Sequence, residues 1–125
     1  REPKSISRET TFERDLHAKL DRTELSERFT ALCLRVAEDL KESGYAARTI
    51  GIKLRYADFH VITRDLTLPE EVTAAGEIRR AAGQCLKRVS LDQRIRLLGV
   101  RASNLRPVHV EDSFRPGEQA SLPFG

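Results

Sequence analysis

An α+β domain of order βαββαβ is predicted for this 125-residue chain, and three observations carry the prediction. Two segments set apolar residues at helical spacing, and four others alternate apolar with polar residues or carry β-branched runs. Glycine, proline and aspartate punctuate the joins between them. Two helices that each bury a single stripe must both lie on one face of a four-stranded, mainly antiparallel sheet, which leaves the other face open.

The first strand is read at residues 5 to 12, Ser5 to Phe12. A helix follows over 21 to 44, where Leu25, Phe29, Leu32, Cys33, Val36 and Leu40 form one stripe. Asp21 and Glu24 make a capping-box-like start, Leu20 and Leu25 are spaced for a hydrophobic staple, and Gly44 stands where a left-handed C-terminal cap is wanted. Residues 48 to 56 alternate cleanly, with Ile50, Ile52, Leu54 and Tyr56 on one side and Thr49, Gly51, Lys53 and Arg55 on the other. The short Ala57-Asp58 connection then makes a hairpin with residues 59 to 68. A second helix is expected from about Thr73 to Arg88, burying Ile78, Ala81, Ala82, Cys85 and Val89, with Glu70 and Glu71 placed to favour its dipole. The last strand is read at 94 to 102. Its polar parity slips between Arg96 and Arg101, which predicts a bulge at Leu98-Gly99 that turns both arginines to the same side.

Periodicity ends at Ser103, and Pro107, Pro116 and Pro123 fall beyond it, so 103–125 reads as a flexible tail after a domain at 5–102, with 1–4 as a linker. The chain begins at Arg1 and contains no methionine, which predicts a piece of a longer protein. No apolar run approaches the ~20 residues of a membrane span, and no signal peptide is present. Cys33 and Cys85 have no CxxC partner and fall on apolar helix faces, as free buried thiols in a reducing cytosol do. His17, His60 and His109 lack metal-ligand neighbours, and Walker, GxGxxG and GxSxG motifs are missing. The carboxylates are scattered over helices and turns, Asp58 and Asp92 among them, so neither catalysis nor a cofactor is expected of these residues.

Charge separates by layer. The helix at 21 to 44 holds six acids against four bases, whereas Arg48, Lys53 and Arg55 on one strand and Arg94, Arg96 and Arg101 on another stand without an acid. The open face is therefore expected to be basic and to meet a polyanion, with Ser5, Ser7, Thr10, Thr49 and Thr63 as hydroxyl donors that position a phosphate backbone without reading bases. The chain has no Trp and two Tyr, too few aromatics for a base-stacking sheet.

Four ordered motifs sharpen this expectation: Lys4 to Phe12 (KSISRETTF), Thr49 to Arg55 (TIGIKLR), Ile62-Thr63-Arg64 with Thr67-Leu68-Pro69, and Arg96 to Arg101 (RLLGVR). Together they resemble the little-finger domain of bacterial Y-family DNA polymerases of the DinB, or DNA polymerase IV, type. The resemblance covers about residues 3 to 104. It implies a non-catalytic module that holds the primer-template duplex by its backbone during error-prone translesion synthesis. A polymerase core with Mg2+-binding carboxylates would precede Arg1. By motif position the implied backbone contacts are Ser5, Ser7, Arg8, Thr49, Lys53, Arg55, Thr63, Arg64, Arg96 and Arg101. Ser7 stands where many relatives have glycine.

In the tail, Gln119, Leu122 and Phe124 fit QxxLxF, which resembles the peptide such polymerases dock on the sliding clamp. Leu122 and Phe124 would fill an apolar pocket, and Pro123 would keep the peptide extended. The competing expectation is a ferredoxin-like interaction or regulatory module whose sheet pairs with itself or takes a small ligand.

Overall fold

The computed structural model describes residues 5–108. Its elements follow the expected order: β1 (Ser5–Leu16), α1 (Arg22–Ser43), β2 (Tyr45–Tyr56), β3 (Val61–Val72), α2 (Ala75–Leu86) and β4 (Ile95–Pro107). The strands make one antiparallel sheet in the order β1-β4-β2-β3. Only β2 and β3 are joined by a hairpin. β1 and β2 run parallel on either side of β4, so their connection needs a crossover, and α1 supplies it.

Both helices pack on one face. Phe29, Leu32, Cys33, Val36 and Leu40 of α1 and Ile78, Ala81, Ala82 and Cys85 of α2 meet Ile50, Ile52 and Leu54 of β2 and Leu98, Val100 and Ala102 of β4. Both cysteines are free and buried, and burial pushes the Cys33 thiol up to about 11, so it stays protonated at neutral pH. Gly44 closes α1 in the left-handed region at φ 78°, and its N–H reaches the carbonyls of Leu40 and Lys41. No helix among the described residues is long and apolar enough to cross a membrane.

The start of α1 differs from the expected capping box. Asp21 makes no side-chain cap. Its carboxylate instead accepts the His17 backbone N–H at 2.7 Å and the Arg14 guanidinium at 2.9 Å, pinning the β1–α1 turn. Leu20 is 76% exposed, so no staple forms. The Arg14 hydrogen bond, followed by the His17 N–H, holds the Asp21 carboxyl down at about 2. A carboxyl whose folded value is depressed stabilises the fold above its ordinary value of 3.8 and loses that contribution as pH falls to about 2. The thermal midpoint should therefore drop across that window, and more steeply than in Asp21→Asn. Equal slopes in the two proteins would rule this out.

Every strand runs longer than its sequence pattern. β4 continues through Ser103 and Leu105 to Pro107, pairing with β2 as far as Tyr45, so residues 103–107 are strand rather than tail. Asn104 takes a left-handed φ of 55° there and interrupts the alternation that would have shown it. The expected bulge at Leu98-Gly99 lies elsewhere. Pairing is continuous from Leu97 to Ser103, and the register slips at Arg96, between Leu97 and Ile95. Gly99 is instead a close-packing position, where a Cβ would come 3.1 Å from that of Glu9.

Candidate functional site

The sheet face away from the helices is built in four registered rows, read across β1, β4, β2 and β3. Ser5, Ser103, Thr49 and Thr67 form the first; Ser7, Arg101, Gly51 and Asp65 the second. Glu9, Gly99, Lys53 and Thr63 form the third, and Thr11, Leu97, Arg55 and Val61 the fourth. The slip at Arg96 adds that side chain to the same face, where it stands 3.6 Å from Asp15 and 4.5 Å from the centroid of the Phe59 ring.

The charges on this face are ordered by strand. Lys53, Arg55, Arg96 and Arg101 all belong to the two central strands, while Glu9, Glu13, Asp15 and Asp65 belong to the edges. The face is thus a basic stripe between acidic margins rather than basic throughout. Lys53 reaches Glu9 at 3.3 Å across the gap left by Gly99. The Thr49 and Thr67 hydroxyls meet at 2.9 Å. The Nε–H donors of Arg55 and Arg96 are buried and make no hydrogen bond among the described residues, the Asp15 carboxylate standing just out of hydrogen-bond reach of the Arg96 Nε at 3.6 Å. Asp65 folds over Gly51, so closely that a Cβ there would meet its carboxylate and come within 2.9 Å of the Arg64 carbonyl.

Of the residues expected at the interface, Ser5, Ser7, Thr49, Lys53, Arg55, Thr63, Arg96 and Arg101 share this face. Arg8 and Arg64 do not. Arg8 has the parity of Ile6 and Phe12 and is held on the helix side, where it makes a two-pronged pair with Asp39 of α1 at 2.6 and 3.0 Å. That hydrogen bond keeps the Asp39 carboxyl below its ordinary range. Arg64 has the parity of Ile62 and Leu66, sits opposite Ile52, and donates to the Thr63 carbonyl at 2.7 Å. Thr10 also turns to the helices, accepting a bond from Arg28 at 3.3 Å. The marginal acids and Phe59 are the residues the sequence reading missed. Phe59 is 61% exposed and holds a positive φ of 73° in the hairpin turn. Gln119, Leu122 and Phe124 lie outside the described residues. Among the described residues no group of three or more His, Cys, Asp or Glu side chains is placed to hold a metal.

Two helices on one side and a hydroxyl-lined, centrally basic sheet on the other define a two-layer α+β domain. The chain belongs to the impB/mucB/samB family C-terminal domain, whose family model matches residues 3–121, and it is a little-finger domain of the bacterial DNA polymerase IV type. It is 37% identical over 113 residues to DNA polymerase IV of Listeria monocytogenes serotype 4b (strain CLIP80459), covering 90% of this chain and 31% of that one. DNA polymerase IV of Streptomyces coelicolor is 36% identical over 125 residues, covering 98% and 26%. The chain thus spans less than a third of the length of these relatives. Among solved structures, the fold matches a complex of the beta-clamp processivity factor and the little finger domain of PolIV with a TM-score of 0.64 at 18% identity, over 84% of this chain and 92% of that one. It also matches an insertion ternary complex of Dbh DNA polymerase with a TM-score of 0.63 at 11% identity, over 84% and 29%.

Proposed function

We propose that this domain grips the backbone of primer-template duplex DNA, without regard to sequence, for an error-prone translesion polymerase of which it is one part. The observation that carries the reading is the central stripe of Lys53, Arg55, Arg96 and Arg101, flanked by the hydroxyls of Ser5, Ser7, Thr49 and Thr63. Bases supply counterion release on meeting phosphates, and hydroxyls supply hydrogen bonds that fix register but read no base. On binding, phosphates replace Glu9 and Asp15 as the partners of Lys53 and Arg96. The acids spring from the edge strands, but Asp65 folds over Gly51 and Glu9 reaches Lys53 over Gly99, so a backbone laid along the centre must displace both carboxylates. Relatives that are DNA polymerase IV support the polymerase parent, whose Mg2+-dependent chemistry would reside in the remainder of the protein. The tail peptide at Gln119, Leu122 and Phe124 would dock on a sliding clamp, as the solved clamp complex of a related little finger supports, and the setting would be the cytoplasm.

The test is duplex binding by the whole chain at a series of salt concentrations. Arg101→Ala should flatten the log–log slope by about 0.9, one phosphate contact, for unrelated sequences alike. Arg8→Gln should leave the slope unchanged and lower only stability, and that slightly, since its pair with Asp39 keeps contact with solvent. If Arg8→Gln flattened the slope and Arg101→Ala did not, the binding face would be assigned wrongly.

A further inference from the structure

At the end of the domain where α1 begins and α2 ends, the helices part and leave a groove of about 780 Å³ on the face opposite the rows described above. Leu54 of β2 and Ile95 and Leu98 of β4 close its base but are themselves buried, so the apolar surface it offers is that of the partly exposed Leu25, Leu86 and Leu91. Leu25, Phe29 and Leu86 form its walls, and the half-exposed Leu91 stands at its mouth.

The rim is strongly basic. Lys19, Arg22, Arg79, Arg80 and Lys87 line the groove with a single acid, Asp92. Arg79 is committed within the fold, lying 4.6 Å from the Phe29 ring centroid and donating to the Thr30 hydroxyl at 2.8 Å. The other four bases are exposed and form no ion pair among the described residues. This contrasts with the remainder of α1, whose acids Glu24 and Asp39 are paired to arginines of β1. A basic rim around an apolar slot complements one chemistry in particular, a short peptide that carries both carboxylates and bulky apolar side chains.

We infer that this groove is a docking site for an acidic peptide of a partner protein, which lays one or two apolar side chains against Leu25, Leu86 and Leu91 and pairs its carboxylates with Lys19, Arg22, Arg80 and Lys87. Duplex DNA is a poor match, because a phosphate backbone has no apolar group to set against Leu25, Leu86 and Leu91. The site is on the other side of the sheet from the stripe, so both ligands can be held at once.

The probe is a fluorescently labelled peptide of six aspartates followed by leucine and phenylalanine, titrated with the whole chain and followed by anisotropy. Saturable binding is expected, weakened at least tenfold by the double variant Arg80→Glu with Lys87→Glu, by Leu91→Asp, and by replacing the peptide's two apolar residues with serine. Lys53→Ala with Arg101→Ala should leave it unchanged. Both charge reversals are at exposed positions, Arg80 within α2 and Lys87 at its C-terminal cap, and circular dichroism is to check that those variants fold. Binding that survives the serine replacement, that falls in the Lys53 and Arg101 variant instead, or that does not saturate by millimolar protein would overturn the inference.

Discussion

Replacing Lys53, Arg55, Arg96 and Arg101 together by alanine is expected to abolish practical DNA binding while leaving the fold intact. Each phosphate contact contributes about −0.9 to the slope of log affinity against log salt, so losing four flattens it by about 3.6. Carried from 1 M down to 0.1 M salt, that is a loss of roughly 10³- to 10⁴-fold. All four side chains leave the sheet on the face away from the helices, so the thermal midpoint should move little. Anisotropy of labelled duplexes with unrelated sequences measures both quantities. A variant that keeps its steep salt dependence would show that the duplex is held elsewhere.

Substitution of Gly51 by valine is expected to have the largest effect on stability among single changes to the open face. The added carbon would run into the Asp65 carboxylate and stand 2.9 Å from the Arg64 carbonyl, and the carbonyl belongs to a paired backbone that can only move by spreading β2 from β3. Overpacking of this kind costs about 1–3 kcal/mol, read as a fall of roughly 5–15 °C in Tm for a domain this size. The two collisions are separable. Asp65→Ala in a Gly51→Ala background removes the flexible one, so the double variant should recover part of the loss, and the cycle reports the coupling between the facing residues. A Gly51→Val protein as stable as the parent would mean that the strands do not approach so closely.

The order of elements and both helical stripes were legible because periodicity is a property of each segment alone. Phe29, Val36 and Leu40, and likewise Ile78 and Cys85, are buried as spacing requires. Strand ends were not legible, because each is blurred where alternation breaks: between Thr11 and Leu16, at Arg96, and at Asn104. Within the site, the parity of Arg8 with Ile6 and Phe12, and of Arg64 with Ile62 and Leu66, is written in the sequence and marks both as helix-side residues. Motif position drew attention away from that signal. The acidic margins needed more than one strand to be seen, since Glu9 and Lys53 are 44 residues apart and meet only through the register each keeps with Gly99.

The sheet order also governs when the domain can exist during synthesis. β4 is the last strand made, yet it lies between β1 and β2 and joins Ser5 to Ser103. Before it arrives, β1 has no strand to pair with, and only the β2–β3 hairpin can form locally. Contacts of such long sequence separation fold slowly, because the loop must close before they stabilise anything. A nascent chain stopped short of Ile95 therefore holds half of the basic stripe and no finished sheet, so the surface proposed to hold DNA is not assembled until β4 has left the ribosome.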